Sequence, residues 1–401
     1  MVEGSLIGID RGGAVPRIAP DGPVRVGIVG ANASDSWAAR AHVPALMAIG
    51  DADLTAVATR RLDTAQAAAE RFGARLAFDD AGALAAHPEV DLVVVAVKVP
   101  AHAALVRTAI EAGKAVLCEW PLGLNTAEPR ELAGAAERAG VYNAVGLQGR
   151  CAPEVSWARR LLDEGFVGRP TSVTAYSTLA RSGDGASSTR LRYLLADANG
   201  ASALTITAGH TFDVIEYLVG QVSELTATLS VQRERIRIAE TDEVVIVDAP
   251  DHVLVQGRLA PGGVFSLHVH NGQRSGARTW IEVVGTEGAL RLESADAGNQ
   301  PGVQMQRLVL LGARGGEAAL SPLSPAAMPG SAVGIPQPAA NVAEQYRRLA
   351  ADLRSGTQMV PGFNEAIRLH GLLDAVRAAA ASGRRQWLDA GRGWLPGQEN
   401  P

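Results

Sequence analysis

The chain has 401 residues, 47% of them hydrophobic and 20% charged, with 44 Gly and 21 Pro. This is a globular composition that excludes collagen-like, disordered and mini-protein chains, and the length suits two domains that each bury a core. The 37 Lys and Arg are outnumbered by 42 Asp and Glu, so at a net charge of −5 no basic field offers nucleic acid a sequence-independent grip.

Residues 1–22 carry Glu3, Asp10 and several glycines and read as a flexible leader, since they lack the basic start and apolar stretch of a signal peptide. Val24–Val29 is a β-branched run closed by Gly30 and followed by a polar loop, then an apolar helical stretch through Ala45 to Ile49. Leu54–Ala58 reads as the next strand, and Leu62–Phe72 as a helix with Gly73 at its left-handed C-cap. Asp91–Val97 is almost continuously apolar, which suits a parallel strand buried on both faces. A helix over Ala101–Ala112, a strand at Ala115–Cys118, a helix capped by Thr126 and ending before Gly140, and a strand at Tyr142–Leu147 continue the alternation. Close alternation of strand and helix predicts an α/β Rossmann domain, a doubly wound parallel sheet, over residues 23–150.

Beyond Pro153 the pattern changes. Helices at Glu154–Asp163 and Thr205–Leu218 bracket an irregular segment, Ala180–Gly200. Strands then follow without helices between them: Glu224–Val231, Val253–Leu259, Val264–His270, Thr279–Val284 and Ala289–Leu292. Serial strands with tight turns predict an α+β domain over 151–390 with an open, mostly antiparallel sheet. Leu311–Pro338 reads as a surface loop, Asn341–Arg354 and Asn364–Ala381 as closing helices, and 391–401 as a tail. Cys118 and Cys151 are the only cysteines and read as free thiols of a cytoplasmic protein. No apolar run reaches the roughly 18 residues that a membrane span needs.

Open α/β sheets bind ligands beyond the carboxyl ends of their strands, and the first turn takes the pyrophosphate of a dinucleotide. In that turn Gly30 supplies the tight bend, Asn32 stands where a second glycine would allow close phosphate approach, and Ala33 and Trp37 follow. At the end of the second strand, Thr59, Arg60 and Arg61 replace the acid that would hold a ribose 2′-hydroxyl. Two guanidiniums and a hydroxyl favour a 2′-phosphate, hence NADP slightly over NAD.

Ala112-Gly113-Lys114, Cys118-Glu119-Trp120-Pro121, Gly146-Leu147-Gln148-Gly149-Arg150 with Pro153, and His210 with Asp213 occur in order after this turn. Together they resemble the glucose–fructose oxidoreductase/inositol dehydrogenase (Gfo/Idh/MocA) family, over about residues 24–390, and within it the branch that includes the fungal galactose-pathway repressor. The resemblance implies a Rossmann domain joined to an open-sheet domain, and homodimers or homotetramers through that sheet. It also implies catalysis by a Lys, an Asp and a His on a sugar hydroxyl. By position the Lys slot holds Trp120, the Asp slot Ile206, and only His210 is retained.

Substitutes are at hand. Lys98 and Lys114 are the only lysines, so an amine is available at just two places. Lys98 ends the Asp91–Val97 strand and can stand in for the missing Lys, or contact a phosphate or ribose. Lys114 lies near a helix end, where pairing with the helix dipole accounts for it. Tyr193 precedes the His210 helix and can donate a hydroxyl to substrate, unless it is a packed aromatic. Asp213, one turn beyond His210, is placed to fix the imidazole's tautomer. Val97, His102, Glu119 and Gln148 join the residues expected at the coenzyme, while Trp120, Gln148, Arg150, Tyr193 and His210 are those expected at the substrate. Trp37 and Trp120 can stack on a nicotinamide or sugar ring, or belong to the core. His268 and His270 share a strand face, with His252 on a possible neighbour; sheet packing explains them better than zinc, and no metal is expected.

Three functions remain open. The first is an NAD(P)-dependent oxidoreductase acting on a sugar, polyol or sugar-derived metabolite. The second is a non-catalytic regulator that senses nucleotide and metabolite, which Trp120 and Ile206 favour. The third is elimination or epimerisation through transient oxidation.

Overall fold

The computed structural model describes residues 22–34, 36–180, 186–273, 276–296, 302–323, 334–389 and 393–394. The expected leader, the tip of the Ala180–Gly200 segment and most of the tail lie outside them. Six strands form the first sheet: β1 Val24–Val29, β2 Ala52–Ala58, β3 Leu76–Phe78, β4 Leu92–Val95, β5 Ala115–Glu119 and β6 Asn143–Gly146. All pairings are parallel, in the order β3-β2-β1-β4-β5-β6. The chain therefore reverses its winding between β1 and β4, and a crevice opens beyond their carboxyl ends.

The apolar run in β4 has the expected cause. Leu92 and Val94 join one hydrophobic core and Val93 and Val95 another, on opposite faces of the sheet. Each such fully buried side chain stabilises the fold by roughly 1.5–3 kcal/mol. The helix Leu62–Phe72 ends where Gly73 takes φ +74°. Thr126, however, does not cap its helix: its hydroxyl bonds Asp374, and Asn125 Oδ1 accepts from the N–H groups of Ala127 and Glu128 at 2.9 and 3.2 Å.

The second sheet comprises β7 Pro170–Ala180, β8 Val222–Ser230, β11 His252–Leu259, β12 Val264–Gln273, β13 Thr279–Gly285, β14 Gly288–Ser294, β15 Leu308–Arg314, β16 Ser321–Pro322, β17 Gln386–Asp389 and β18 Gly393–Trp394, while β9 Arg235–Arg237 and β10 Val244–Ile246 pair as a separate two-stranded sheet. Its ten strands run in the order β16-β15-β14-β13-β7-β12-β11-β8-β17-β18. The pairings are antiparallel except β7 with β12, which is parallel and makes the sheet mixed. The expected loop over Leu311–Pro338 is corrected in its first part: β15 and β16 occupy it, since Leu308 and Leu310 alternate inward onto the core. Residues 324–333 of that loop lie outside the described part.

One sheet face is covered by the helices Pro153–Asp163, Gly209–Val219 and Phe363–Ser382. The opposite face carries Tyr176, Trp280, His252, His268 and His270, with Leu254 and Val264 exposed. The three imidazoles do meet there, with ring centres 5.0 to 6.3 Å apart. Among the described residues no group of His, Cys, Asp or Glu has metal-holding geometry. The helix Ala339–Ser355 returns to the first sheet, packing Val342, Tyr346 and Leu349 beside Val26 and Ile28. No described helix is long and apolar enough to cross a membrane, and Cys118 and Cys151 are both buried and free.

Candidate functional site

Gly30 makes the first turn at φ +99°, where a Cβ would lie 2.5 Å from the Ala96 carbonyl oxygen and 2.6 Å from Val97. Only glycine lets the ends of β1 and β4 approach this closely. Asn32 does not leave the opening that glycine would: its Oδ1 turns back to accept from Ser34 N–H at 2.8 Å and Ser34 Oγ at 2.9 Å. Ser36 Oγ then accepts from Ala39 N–H at 3.1 Å. The following helix starts as a π-turn over Ala38–His42 before Val43–Met47.

His42, absent from the sequence reading, sits at the centre of this wall. A carboxylate can only accept, so His42 Nε2 donates to Glu119 Oε1 at 3.0 Å and Nδ1 accepts from the Tyr346 hydroxyl at 2.7 Å. Glu119, expected at the coenzyme, is therefore tied to the first helix. His102 is also internal: its two ring nitrogens lie 2.8 Å from the Pro121 carbonyl and 3.0 Å from that of Val97. Burial lowers its pKa, and those two carbonyls work against the shift.

The ribose end is thinner than expected. Arg61 is paired with Asp63, its Nε donating at 2.9 Å, and Thr59 Oγ1 donates to the Arg61 carbonyl at 2.9 Å. Arg60 stays exposed beside them.

Trp120, at the end of β5, is packed rather than presented. Its indole N–H donates to the Thr205 carbonyl at 2.7 Å, and its ring centre lies 4.8 Å from that of His370. A Cβ on Gly209 would fall 2.7 Å from its Nε1, so the glycine admits the indole. Ser202 and Thr205 form a capping box for the π-turn Ala203–Ala208, which runs directly into the helix bearing His210. Ile206 lines a cavity of about 80 Å³ with Leu194, Leu195 and Val247.

The expected partnership of Asp213 with His210 is corrected. Arg150 takes the Asp213 carboxylate in a two-pronged pair, at 2.6 and 2.9 Å, because a buried carboxylate needs a charged partner more than a neutral ring does. Arg150, expected at the substrate, also lies over the Tyr217 ring. His210 is left with Nδ1 buried and unpartnered, and burial pushes its pKa down to about 3, so it is neutral at pH 7.

Lys98 and Tyr193 do come together. The Lys98 ammonium lies 4.9 Å from the centre of the Tyr193 ring, joining the end of β4 to the second half of the chain. Asn199 steadies that segment through the Tyr193 carbonyl at 2.8 Å. Trp37 Nε1 and Gln148 Oε1 are buried without partners, as is His210 Nδ1. Buried polar atoms are ordinarily satisfied, so three orphans among the expected binding residues fit a site completed by a ligand.

This is the crevice of a coenzyme-binding α/β protein joined to an open-sheet domain. The model of the oxidoreductase family with an NAD-binding Rossmann fold, Gfo/Idh/MocA, matches residues 24–147, and that of the Gal80p C-terminal domain matches residues 153–294. The chain belongs to the Gfo/Idh/MocA family, in its Gal80-like branch. It is 28% identical over 303 residues to the galactose/lactose metabolism regulatory protein GAL80 of Saccharomyces cerevisiae, spanning 71% of this chain and 69% of that one. It is also 28% identical over 350 residues to D-apiose dehydrogenase of Paraburkholderia graminis, spanning 86% and 85%. Levoglucosan dehydrogenase in complex with NADH and levoglucosan has the same fold, with a TM-score of 0.78 at 23% identity over 90% of this chain and 98% of that one.

Proposed function

We propose that this protein is a nicotinamide-dependent dehydrogenase of a sugar, polyol or sugar-derived metabolite. The observation that carries the reading is the convergence of Lys98 and Tyr193 across the crevice. Gly30, Ala33 and Trp37 would hold the coenzyme at the first turn, Val97 would face its nicotinamide end, and Gln148 would bridge to substrate. The D-apiose and levoglucosan dehydrogenases supply the sugar class. When bound, the nicotinamide supplies the hydride acceptor.

The residues of this chain handle the rest. Lys98 supplies the positive charge that Trp120 cannot. Tyr193 orients a substrate hydroxyl by hydrogen bonding. His210 takes the hydroxyl proton as negative charge develops on the oxygen beside it, which offsets the desolvation that otherwise keeps the ring neutral. NAD is the favoured coenzyme, because a preference for NADP rests on Arg60 once Arg61 is paired with Asp63. The open face of the second sheet is the surface assigned to self-association, and the cytoplasm is the assigned compartment.

A regulatory role is the second reading, and Trp120 favours it: a satisfied indole fills the slot where the family carries its reactive amine. Titration with NADH and NADPH, followed by absorbance at the reduced-nicotinamide band across a sugar and polyol panel, separates the two. Turnover by the wild type is expected, with a loss of at least about a hundredfold in His210→Ala and coenzyme affinity retained. Binding without turnover on any substrate hands the protein to the regulatory reading, and His210→Ala turning over normally removes the residue's role.

A further inference from the structure

The π-turn Ala203–Ala208 has different neighbours on its two sides. On one, the Thr205 carbonyl and Gly209 receive the Trp120 indole. On the other, Ala203, Ile206 and Thr207 line the cavity of about 80 Å³. Ile206 precedes His210 by four residues, so the two share a strip of the continuous helix surface, one turn apart. His210 Nδ1 on that strip is buried without a partner, the state of an atom that a ligand completes. Leu194 and Leu195, which follow Tyr193 in the chain, form the next part of the wall. The cavity thus adjoins two residues assigned above to the substrate, His210 along the helix and Tyr193 along the chain.

The far wall is apolar as well. Ile236 of β9 and Val247, just beyond β10, join Leu195 and Ile238 in a small core separate from the two main ones. Two polar side chains at the edge of the cavity are committed elsewhere. Ser202 Oγ accepts from Thr205 N–H at 3.3 Å, and the Asp251 carboxylate accepts from the N–H groups of Gln232 and Arg233 at 2.8 and 3.1 Å. A buried water needs about two to four polar partners, so this lining favours carbon over water. An apolar cavity of roughly 150 Å³ takes a benzene ring, and one about half that size takes a short alkyl group.

Resting on the dehydrogenase reading above, we propose that this cavity is an apolar subsite and that the sugar taken by the protein carries a short alkyl group. That group, the methyl of a deoxy sugar or a small O-alkyl substituent, sits between Ile206 and the β9–β10 hairpin, while the reacting hydroxyl meets His210 and Tyr193. Each CH₂ buried there raises affinity by a factor of about four. A hydroxymethyl group in the same place loses that gain, because its hydroxyl leaves water without finding a partner among leucine, isoleucine and valine side chains. The subsite therefore selects against the fully hydroxylated parent sugar, and Ile206 is the residue that sets the choice beside His210.

The test uses the full chain saturated with NADH. Calorimetry compares 6-deoxy-D-glucose, D-fucose and L-rhamnose with D-glucose, D-galactose and L-mannose, and the methyl, ethyl and propyl β-D-glucopyranosides with D-glucose. At least one alkyl-bearing sugar is expected to bind about tenfold or more tightly than its parent. Ala249→Leu, which fills the cavity, is expected to abolish that advantage and leave the dissociation constant for NADH within about twofold. Ile206→Val, a milder change that enlarges the cavity by one methyl, is expected to move the preference toward the longer alkyl group. Equal binding of alkyl sugars and their parents, absence of binding by every alkyl sugar, a preference that survives Ala249→Leu, or one that Ile206→Val leaves unmoved overturns the subsite. Absorbance at the reduced-nicotinamide band, read with NAD on the same sugars, reports on the dehydrogenase reading by itself. Turnover of parents and alkyl sugars alike keeps that reading and removes the subsite, whereas an alkyl preference in binding without turnover keeps the subsite and removes the reading. Failure of NADH and NADPH to bind at all is seen before any sugar is added, and it removes both.

Discussion

Around Trp120 the site is dry and internally satisfied, whereas around Lys98 it is charged and open. In the first region the indole N–H is bonded to Thr205, Asp213 is held by Arg150, and His210 and His370 are buried as neutral rings. In the second, Lys98 is exposed against Tyr193, with Arg190 and Arg40 acting on the same phenol. The contrast teaches that charge lost from one position of a cleft need not be lost from the cleft. On the dehydrogenase reading proposed above, the cation that Trp120 does not supply at the end of β5 comes from Lys98 at the end of β4.

The contrast can be broken at its most rigid point first. Asp213 also interacts with Arg368, whose pKa burial lowers to about 10 while Asp213 opposes the shift and Arg150 adds to it. Arg368 keeps Glu216 as its ion-pair partner, so Asp213→Ala strands the half-buried Arg150 guanidinium, and urea unfolding should show a loss of about 3–5 kcal/mol. Retained stability with lost turnover would instead return Asp213 to the role of orienting His210.

Acidification tests the same region more gently. The folded-state pKa values of His210 and His370, lowered by burial to about 3 and about 4, lie below the ordinary 6.5 of the unfolded chain. Between pH 6.5 and 4 the unfolded state thus binds more protons, so stability is complete above this window and falls as the pH drops through it. The shift at His370 alone corresponds to roughly 3 kcal/mol. His370→Phe should flatten the decline in melting temperature across that range, and an unchanged slope would mean that the ring is not buried neutral.

The smallest effect concerns the indole. Trp120→Phe keeps most of the packing and deletes one hydrogen bond, so a loss of about 1 kcal/mol is expected by denaturant midpoint. A substantially larger loss would show that the N–H bond to Thr205 anchors the whole π-turn before His210.

Much of this arrangement was legible in the sequence. The β-branched runs, Gly30 and Gly73 define the first sheet because local backbone chemistry decides them. Lys98 could be placed at the cleft because a strand end in a parallel sheet has only one destination. What escaped depends on long-range pairing. Strand β7, Pro170–Ala180, alternates like a half-buried strand but opens with proline and pairs with β12 and β13, some hundred residues later. The Arg150–Asp213 pair and the Glu119–His42–Tyr346 chain join segments that no local period connects. Two π-turns, at Ala38–His42 and Ala203–Ala208, leave no compositional trace, although both lie at the crevice. The signal within reach was Trp37 and His42 spaced along one short helix.

The return of Ala339–Ser355 to the first sheet has a consequence for biosynthesis. Tyr346 closes the bond to His42, and Asp352 accepts from the Tyr142 hydroxyl at 2.9 Å, so the opening third of the polypeptide waits for a late segment to cover it. While the ribosome makes the intervening stretch, the side of the nascent sheet bearing Val26 and Ile28 is covered by its own first two helices but lacks Val342, Tyr346 and Leu349. A fragment cut near residue 150 would share that exposure, and is expected to precipitate or to recruit chaperones rather than serve as an autonomous nucleotide-binding module.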